Sequence, residues 1–209
     1  MTLLSKDREK IKRDVCKILY RIGAIKFGSF KLTSGKMSPY YIDLRLIPSF
    51  PEVFHKISGI LTDFIEKNLG PSEIDRIAGI PTAGIPFASV IAYSMNKPFL
   101  YVRQTKRTHG RERRIEGLIS PGDKVLLIDD LITTGSSLIK AAKAIVAEGG
   151  VVENAVVLLD REEGGKEKLS KEGISLHAVF NISEIAETLY ELDAIDEEHL
   201  KLILKQIRG

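Results

Sequence analysis

The sequence predicts an α/β fold with a mostly parallel twisted sheet flanked by helices, and three observations point to it. Short apolar runs at 76–80, 98–103, 124–129 and 154–160 read as strands. Segments with helical periodicity fill the gaps between them, the pattern of parallel strands joined by crossover helices. The run VLLI at 125–128 shows no alternation with polar residues, as expected of a central strand covered on both faces.

The elements follow in chain order. Ile11, Val15, Ile18 and Leu19 recur at helical spacing and mark an N-terminal amphipathic helix, with Cys16 on the same pattern as a core residue. GSFKLTSGKMSPYYIDLR, 28–45, is strand-like on both sides of a Ser-Gly-Lys turn and predicts a hairpin. Val53, Ile57, Ile60, Leu61, Phe64 and Ile65 mark the next helix. The clearest helix is SSLIKAAKAIVAE, 136–148, which starts on Ser and stops at Gly149-Gly150. The acidic stretch ELDAIDEE, 191–198, introduces a terminal helix. With no internal repeat, low-complexity tract or linker in view, residues 1–209 are expected to form one domain.

Composition narrows the function classes. At 209 residues and 44% hydrophobic content the chain can bury one core, and its single cysteine excludes a disulfide framework and suits a reducing compartment. No apolar run approaches the ~18 residues that span a bilayer, and the N-terminal MTLLSKDREK lacks the apolar stretch of a signal peptide. A cytoplasmic protein without membrane partners is expected. The net charge of +3 points to no polyanionic partner, so only local clusters inform. The cluster that stands out is RQTKRTHGRERR, 103–114, where six basic residues and His109 share twelve positions with one acid, Glu112. It lacks interleaved aromatics and a second basic face, so no nucleic-acid partner is expected.

The most informative stretch is KVLLIDDLITTGSS, 124–137. It places Asp129 and Asp130 at the carboxyl end of the central strand, where open α/β sheets bind ligands. Thr133, Thr134, Gly135, Ser136 and Ser137 follow, joining strand to helix with hydroxyls and free N–H groups suited to a phosphate. Carboxylates accept from sugar hydroxyls, so the two halves of the motif suit a sugar and the phosphate it carries. Two like charges are expected to tolerate each other at a water-accessible rim with donors or a metal nearby. The alternative of plain helix capping stays open at this level. A nucleoside triphosphatase strand would need a G-x-x-x-x-G-K-[ST] partner, and a dinucleotide fold a G-x-G-x-x-G; neither occurs in the chain.

VLLIDDLITTGSS resembles the signature of type I phosphoribosyltransferases, which bind phosphoribosyl pyrophosphate (PRPP). FGSFKLTSGKMSPYYIDLR (27–45), GIPTAGIPFA (79–88), VRQTKRTHG (102–110), IEG (115–117) and LLDREEGG (158–165) stand in the order and spacing of the orotate phosphoribosyltransferases. The resemblance spans nearly the whole chain. It implies the type I phosphoribosyltransferase fold, a single domain with a small hairpin-containing hood drawn mainly from 1–50 and the C-terminal part. It implies transfer of the phosphoribosyl group from PRPP to orotate, with Mg²⁺ bound mainly through PRPP rather than by protein ligands. Transfer to another base and a non-catalytic PRPP-binding regulator are the alternatives.

The resemblance also assigns residues. Asp129, Asp130, Leu131, Ile132, Thr133, Thr134, Gly135, Ser136 and Ser137 match the PRPP loop, and Thr82, Ala83 and Gly84 match the pyrophosphate loop. Arg103, Lys106, Arg107 and His109 fall in the basic loop that closes over the leaving group and are the candidate catalytic residues. The family commonly has lysine where this chain has Gln104 and Arg107; Lys106 can offset the neutral glutamine. For orotate, the candidates are Thr133, Arg161, Tyr41 as a stacking ring, and Lys31, which shares a strand face with Thr33 where relatives carry a lysine. Finally, the resemblance implies a homodimer in which each basic loop reaches its partner's site.

Overall fold

The computed structural model describes residues 3–31, 35, 37–103 and 114–208, and by internal contacts it divides into two compact units. The first comprises Met1–Phe54 and Phe180–Gly209, the second His55–Val179. The first begins with helix α1 (Leu3–Arg21), which buries Val15, Cys16 and Leu19. Strands β1 (Ile25–Lys31) and β2 (Met37–Ile42) then pair antiparallel as the expected hairpin. The register slips between Phe27 and Phe30, where Gly28 takes φ +143°, a conformation that favours glycine and forms the bulge. A 3₁₀ segment (Leu44–Ser49) leads into α2 (Pro51–Asn68), which carries the chain into the second unit.

The second unit holds the site-bearing sheet. Its elements are β3 (Arg76–Gly79), α3 (Gly84–Ser94), β4 (Phe99–Val102), β5 (Ile115–Glu116), β6 (Val125–Ile132), α4 (Ser136–Ala147), β7 (Asn154–Asp160), α5 (Gly165–Lys171) and β8 (Ser175–Asn181). The strand order is β5-β4-β3-β6-β7-β8. The pairs β3–β4, β3–β6 and β6–β7 are parallel, and short β5 adds an antiparallel edge. Val125 to Ile128 are all buried at the middle of this sheet, as a run without alternation requires. Leu127, Leu138, Ile145, Val157 and Leu169 belong to one core cluster on which α4 and α5 rest.

The chain order places the site. From β3 the path leads outward through α3 to β4, and from β6 it leads the other way through α4 to β7. The carboxyl ends of β3 and β6 therefore flank the point where the winding reverses, the crevice in which doubly wound sheets bind ligands.

The C-terminal part returns to the first unit with α6 (Ile182–Glu191) and α7 (Glu197–Arg208), the helix announced by the acidic stretch. Asn181 and Glu184 form a reciprocal capping box at the start of α6. Arg8 bridges from α1 to Glu184 at 2.9 Å, and Arg13 to Glu191 at 2.7 Å. Among the described residues no helix is long and apolar enough to cross a membrane.

Candidate functional site

Two loops meet at the switch point. After β3, the amide of Ile80 donates to Ile128 O at 3.0 Å and the amide of Gly84 donates to Ile80 O at 3.0 Å, folding 80–84 into a tight turn. Gly84 then lies directly on β6. A Cβ there would sit 2.5 Å from Ile128 O and 2.9 Å from Asp129 Oδ1, so the backbone can approach the carboxylate only because residue 84 has no side chain. Thr82 is exposed and Ala83 partly exposed beside it.

The aspartates differ from expectation in one respect. β6 runs on to Ile132, with Asp129 opposite Val157 and Ile132 opposite Asp160, so Asp129 and Asp130 lie within the strand. They are 9% and 8% exposed, not at a water-accessible rim. The Asp130 amide donates to Asp129 Oδ1 at 2.9 Å. Burial pushes the Asp129 carboxyl well above the ordinary carboxylate range, and the neighbouring Asp130 adds to the shift. A ligand that donates hydrogen bonds meets, in Asp129, an acceptor already stripped of most of its water.

The cradle follows at once. Gly135 takes φ +74° in the left-handed region, which turns the chain so that α4 starts at Ser136. Thr134 Oγ1 and Ser136 Oγ are 3.1 Å apart. A cavity of about 70 Å³ is lined by Asp129, Leu131 to Ser137 and Leu138. The PRPP-loop candidates Asp129 and Leu131 to Ser137 thus share one small hollow at a helix N-terminus, a place suited to an anion.

The basic segment enters from β4. Val102 pairs with Ile115 and Tyr101 with Glu116, and the Arg103 amide donates to Arg114 O at 2.8 Å, making a two-stranded stem. Arg103 Nη1 donates to Glu116 Oε1 at 3.0 Å, which orients the guanidinium. Lys106, Arg107 and His109, with Gln104, lie outside the described residues. A cavity of about 430 Å³ is lined by Ile80, Pro81, Val102, Arg103, Arg114, Ser137, Lys140 and Ala141. Arg114 and Lys140 carried no role in the sequence reading. Their signal was available: Arg114 closes the basic run, and Lys140 stands one helical turn after Ser136.

Of the orotate candidates, Thr133 belongs to the cradle and Arg161 stands beside it, its amide donating to Ile132 O at 3.0 Å. Arg161 is 9% exposed and Nη2 pairs with Glu163 Oε1 at 2.8 Å. The next residue back, Asp160, is buried, and burial raises its carboxyl above the ordinary range; it accepts from the Glu162 amide at 2.8 Å. Tyr41 and Lys31 belong to the other unit. There β2 turns Tyr40 into the core and leaves Tyr41 outward, tilted against Phe30 at a centroid distance of 5.7 Å. Lys31 ends β1, exposed and opposite Met37. Thr33 lies outside the described residues.

Comparison with known proteins extends these observations. The model of the phosphoribosyl transferase domain matches residues 47–190. An orotate phosphoribosyltransferase from Sulfolobus acidocaldarius is 42% identical over 91% of this chain and 94% of its own. The crystal structure of orotate phosphoribosyltransferase from Aeropyrum pernix is 31% identical, with a TM-score of 0.73 over 84% of this chain and 98% of that one. A UMP synthase structure from Leishmania donovani is 32% identical with a TM-score of 0.82; the match covers 94% of this chain and 42% of that longer one.

Proposed function

The chain belongs to the orotate phosphoribosyltransferases of the phosphoribosyltransferase family, and from that premise we propose that it moves the 5-phosphoribosyl group of PRPP onto orotate, giving orotidine 5′-monophosphate and pyrophosphate in pyrimidine synthesis. The observation that carries this is the run from the buried carboxylates Asp129 and Asp130 straight into the Thr133–Ser137 cradle at the sheet's switch point.

In this account the cradle holds the 5′-phosphate through N–H and hydroxyl donors, and the two carboxylates accept from the ribose hydroxyls. Both contacts fix the anomeric carbon, so the nucleophile and leaving group meet it in one orientation. The bond from that carbon to pyrophosphate breaks, the electron pair leaving with the diphosphate, while a ring nitrogen of orotate forms the new bond. Orotate's charge at neutral pH sits on its carboxylate, and the attacking ring nitrogen gives up its own proton, to solvent or to the departing diphosphate, as the new bond forms. Negative charge grows on the departing diphosphate, and the amides around Thr82 to Gly84, Arg103, and the loop residues Lys106, Arg107 and His109 answer it. Closing that loop keeps water from the activated sugar.

Among the described residues no group of three His, Cys, Asp or Glu side chains is placed to hold a metal ion. Asp129 and Asp130, two adjacent carboxylates beside the cradle, would balance part of the charge of a Mg²⁺ ion carried in with PRPP. Bound so, the ion would neutralise part of the leaving group's charge. The cytoplasm is the proposed location and a homodimer the proposed assembly.

The test is pyrophosphate release from PRPP and Mg²⁺ with each candidate base. Turnover is expected with orotate alone. Release with a purine but not with orotate would overturn the substrate, and PRPP binding without turnover on any base would make the chain a regulator.

Arg161 gives a second measurement. Arg161→Ala should raise KM for orotate about ten- to a hundredfold, the ~1.5–3 kcal/mol of a hydrogen bond to a charged group, and raise KM for PRPP far less. Equal effects on both substrates would instead assign Arg161 to the fold, through its pair with Glu163.

A further inference from the structure

The loop that follows β7 and the phosphate cradle are packed against each other without room for a single methyl group. Gly165, the first residue of α5, is buried against the start of the cradle. A Cβ on it would lie 2.5 Å from Thr133 O and 2.7 Å from both Cγ1 and Cδ1 of Ile132. Those separations fall well inside the ~3.3–3.6 Å of even a close C–H···O contact. Across the gap, a Cβ on Gly135 would lie 3.2 Å from Gly165 O, so the two glycines face each other. Two backbone links hold the segments in register here: Ile132 opposite Asp160, and the Arg161 amide on Ile132 O at 3.0 Å.

Resting on the reading of Thr133–Ser137 as the cradle for the 5′-phosphate, we propose that Gly165 is a positioning residue for that cradle. It sets the height of the Thr133 carbonyl and thereby the direction of the N–H groups that follow. Ile132 is 2% exposed and Leu169 fully buried, so the floor beneath the loop cannot yield and a methyl on Gly165 must displace the Thr133 peptide itself. The next peptides, Thr134 and the left-handed Gly135, have little freedom to compensate, because α4 starts at Ser136 and the Ile139 amide is committed to Gly135 O at 3.0 Å. Arg161 and the cradle consequently move as one body. A shift at either end of the Asp160–Gly165 loop reaches the phosphate cradle through a backbone contact and needs no side chain of the loop on the phosphate itself.

Gly164 is the internal control. Its φ is positive, +81°, a conformation asparagine tolerates, and a Cβ there meets nothing within 4 Å. Gly165→Ala should raise KM for PRPP, and the dissociation constant for PRPP measured by calorimetry without orotate, by ten- to about a hundredfold, the scale of a misplaced binding group. The kcat at saturating PRPP should stay within about threefold, and Gly164→Asn should match wild type. A merely structural role would lower the active fraction, so that kcat falls and KM does not move; that result would overturn the proposal. If Gly165→Ala folds poorly, the double variant Gly165→Ala/Ile132→Ala removes both crowded side-chain atoms and leaves only the Thr133 O contact. PRPP binding should remain weak in it, and recovery to wild-type affinity would refute a relay through Thr133. Should wild type itself fail to bind PRPP, the fault lies with the cradle reading and not with Gly165.

Discussion

Asp129→Asn and Asp130→Asn should each lower kcat/KM for PRPP by roughly ten- to a hundredfold, and the first should do so without lowering stability. Each change removes the charged acceptor proposed for a sugar hydroxyl, worth about 1.5–3 kcal/mol. Stability follows the opposite course, because Asp129 is buried beside a second carboxylate and its carboxyl is held well above the ordinary range by burial first and Asp130 second. For an acid raised in the folded state, folded and unfolded chains both hold the proton below the ordinary value. As pH rises from there towards the raised value, the unfolded chain loses its proton first and stability falls by up to ~1.4 kcal/mol per pH unit per group. The penalty is fully present at higher pH. Asp129→Asn removes it, so its melting temperature at neutral pH should equal or exceed that of wild type, and the downward slope between ordinary and raised values should flatten. Thermal melts across that window together with PRPP kinetics check both halves. Unchanged PRPP kinetics in both variants would refute the role of the pair.

The second large effect is recovery of activity from two impaired proteins. Arg107→Ala spoils the basic loop and Asp130→Asn spoils the carboxylate pair. If the loop of one chain serves the site of its partner, a hybrid dimer has one site with both lesions and one with none. With random exchange of equal amounts, half the dimers are hybrids with one sound site in two, so about a quarter of wild-type activity should return. If each chain served itself, every site would carry one lesion. No recovery despite demonstrated subunit exchange would reject the shared site.

Much of this was legible in the chain. The unbroken apolar run 125–128 placed the central strand, and the small, hydroxyl-rich residues after it placed the cradle, because backbone amides at a strand-to-helix turn need residues that leave them open. The hairpin was legible through its turn and helix 136–148 through its glycine stop. Strand β8 was not among the predicted strands: His177 interrupts its short apolar run, and only Val179 and Phe180 are fully packed. β5 has two residues and exists as the return half of a stem, which no local pattern specifies. The burial of the aspartates was also missed, since two adjacent acids read as a strand end until the pairing with β7 extends the ladder to Ile132. The steric roles of Gly84 and Gly165 depend on contacts with residues more than thirty positions away, so their one-letter signal cannot be told from that of any turn glycine.

Amide hydrogen exchange with and without PRPP and Mg²⁺ reports whether PRPP sits in the cradle between Asp129 and Ser137. Bound PRPP should slow exchange at the amides of Thr133 to Ser137 and around Gly84, and Asp130→Asn should weaken that protection in proportion to its lost affinity. Turnover of PRPP with exchange at those amides unchanged, and protection confined to other segments, would place PRPP outside this cradle.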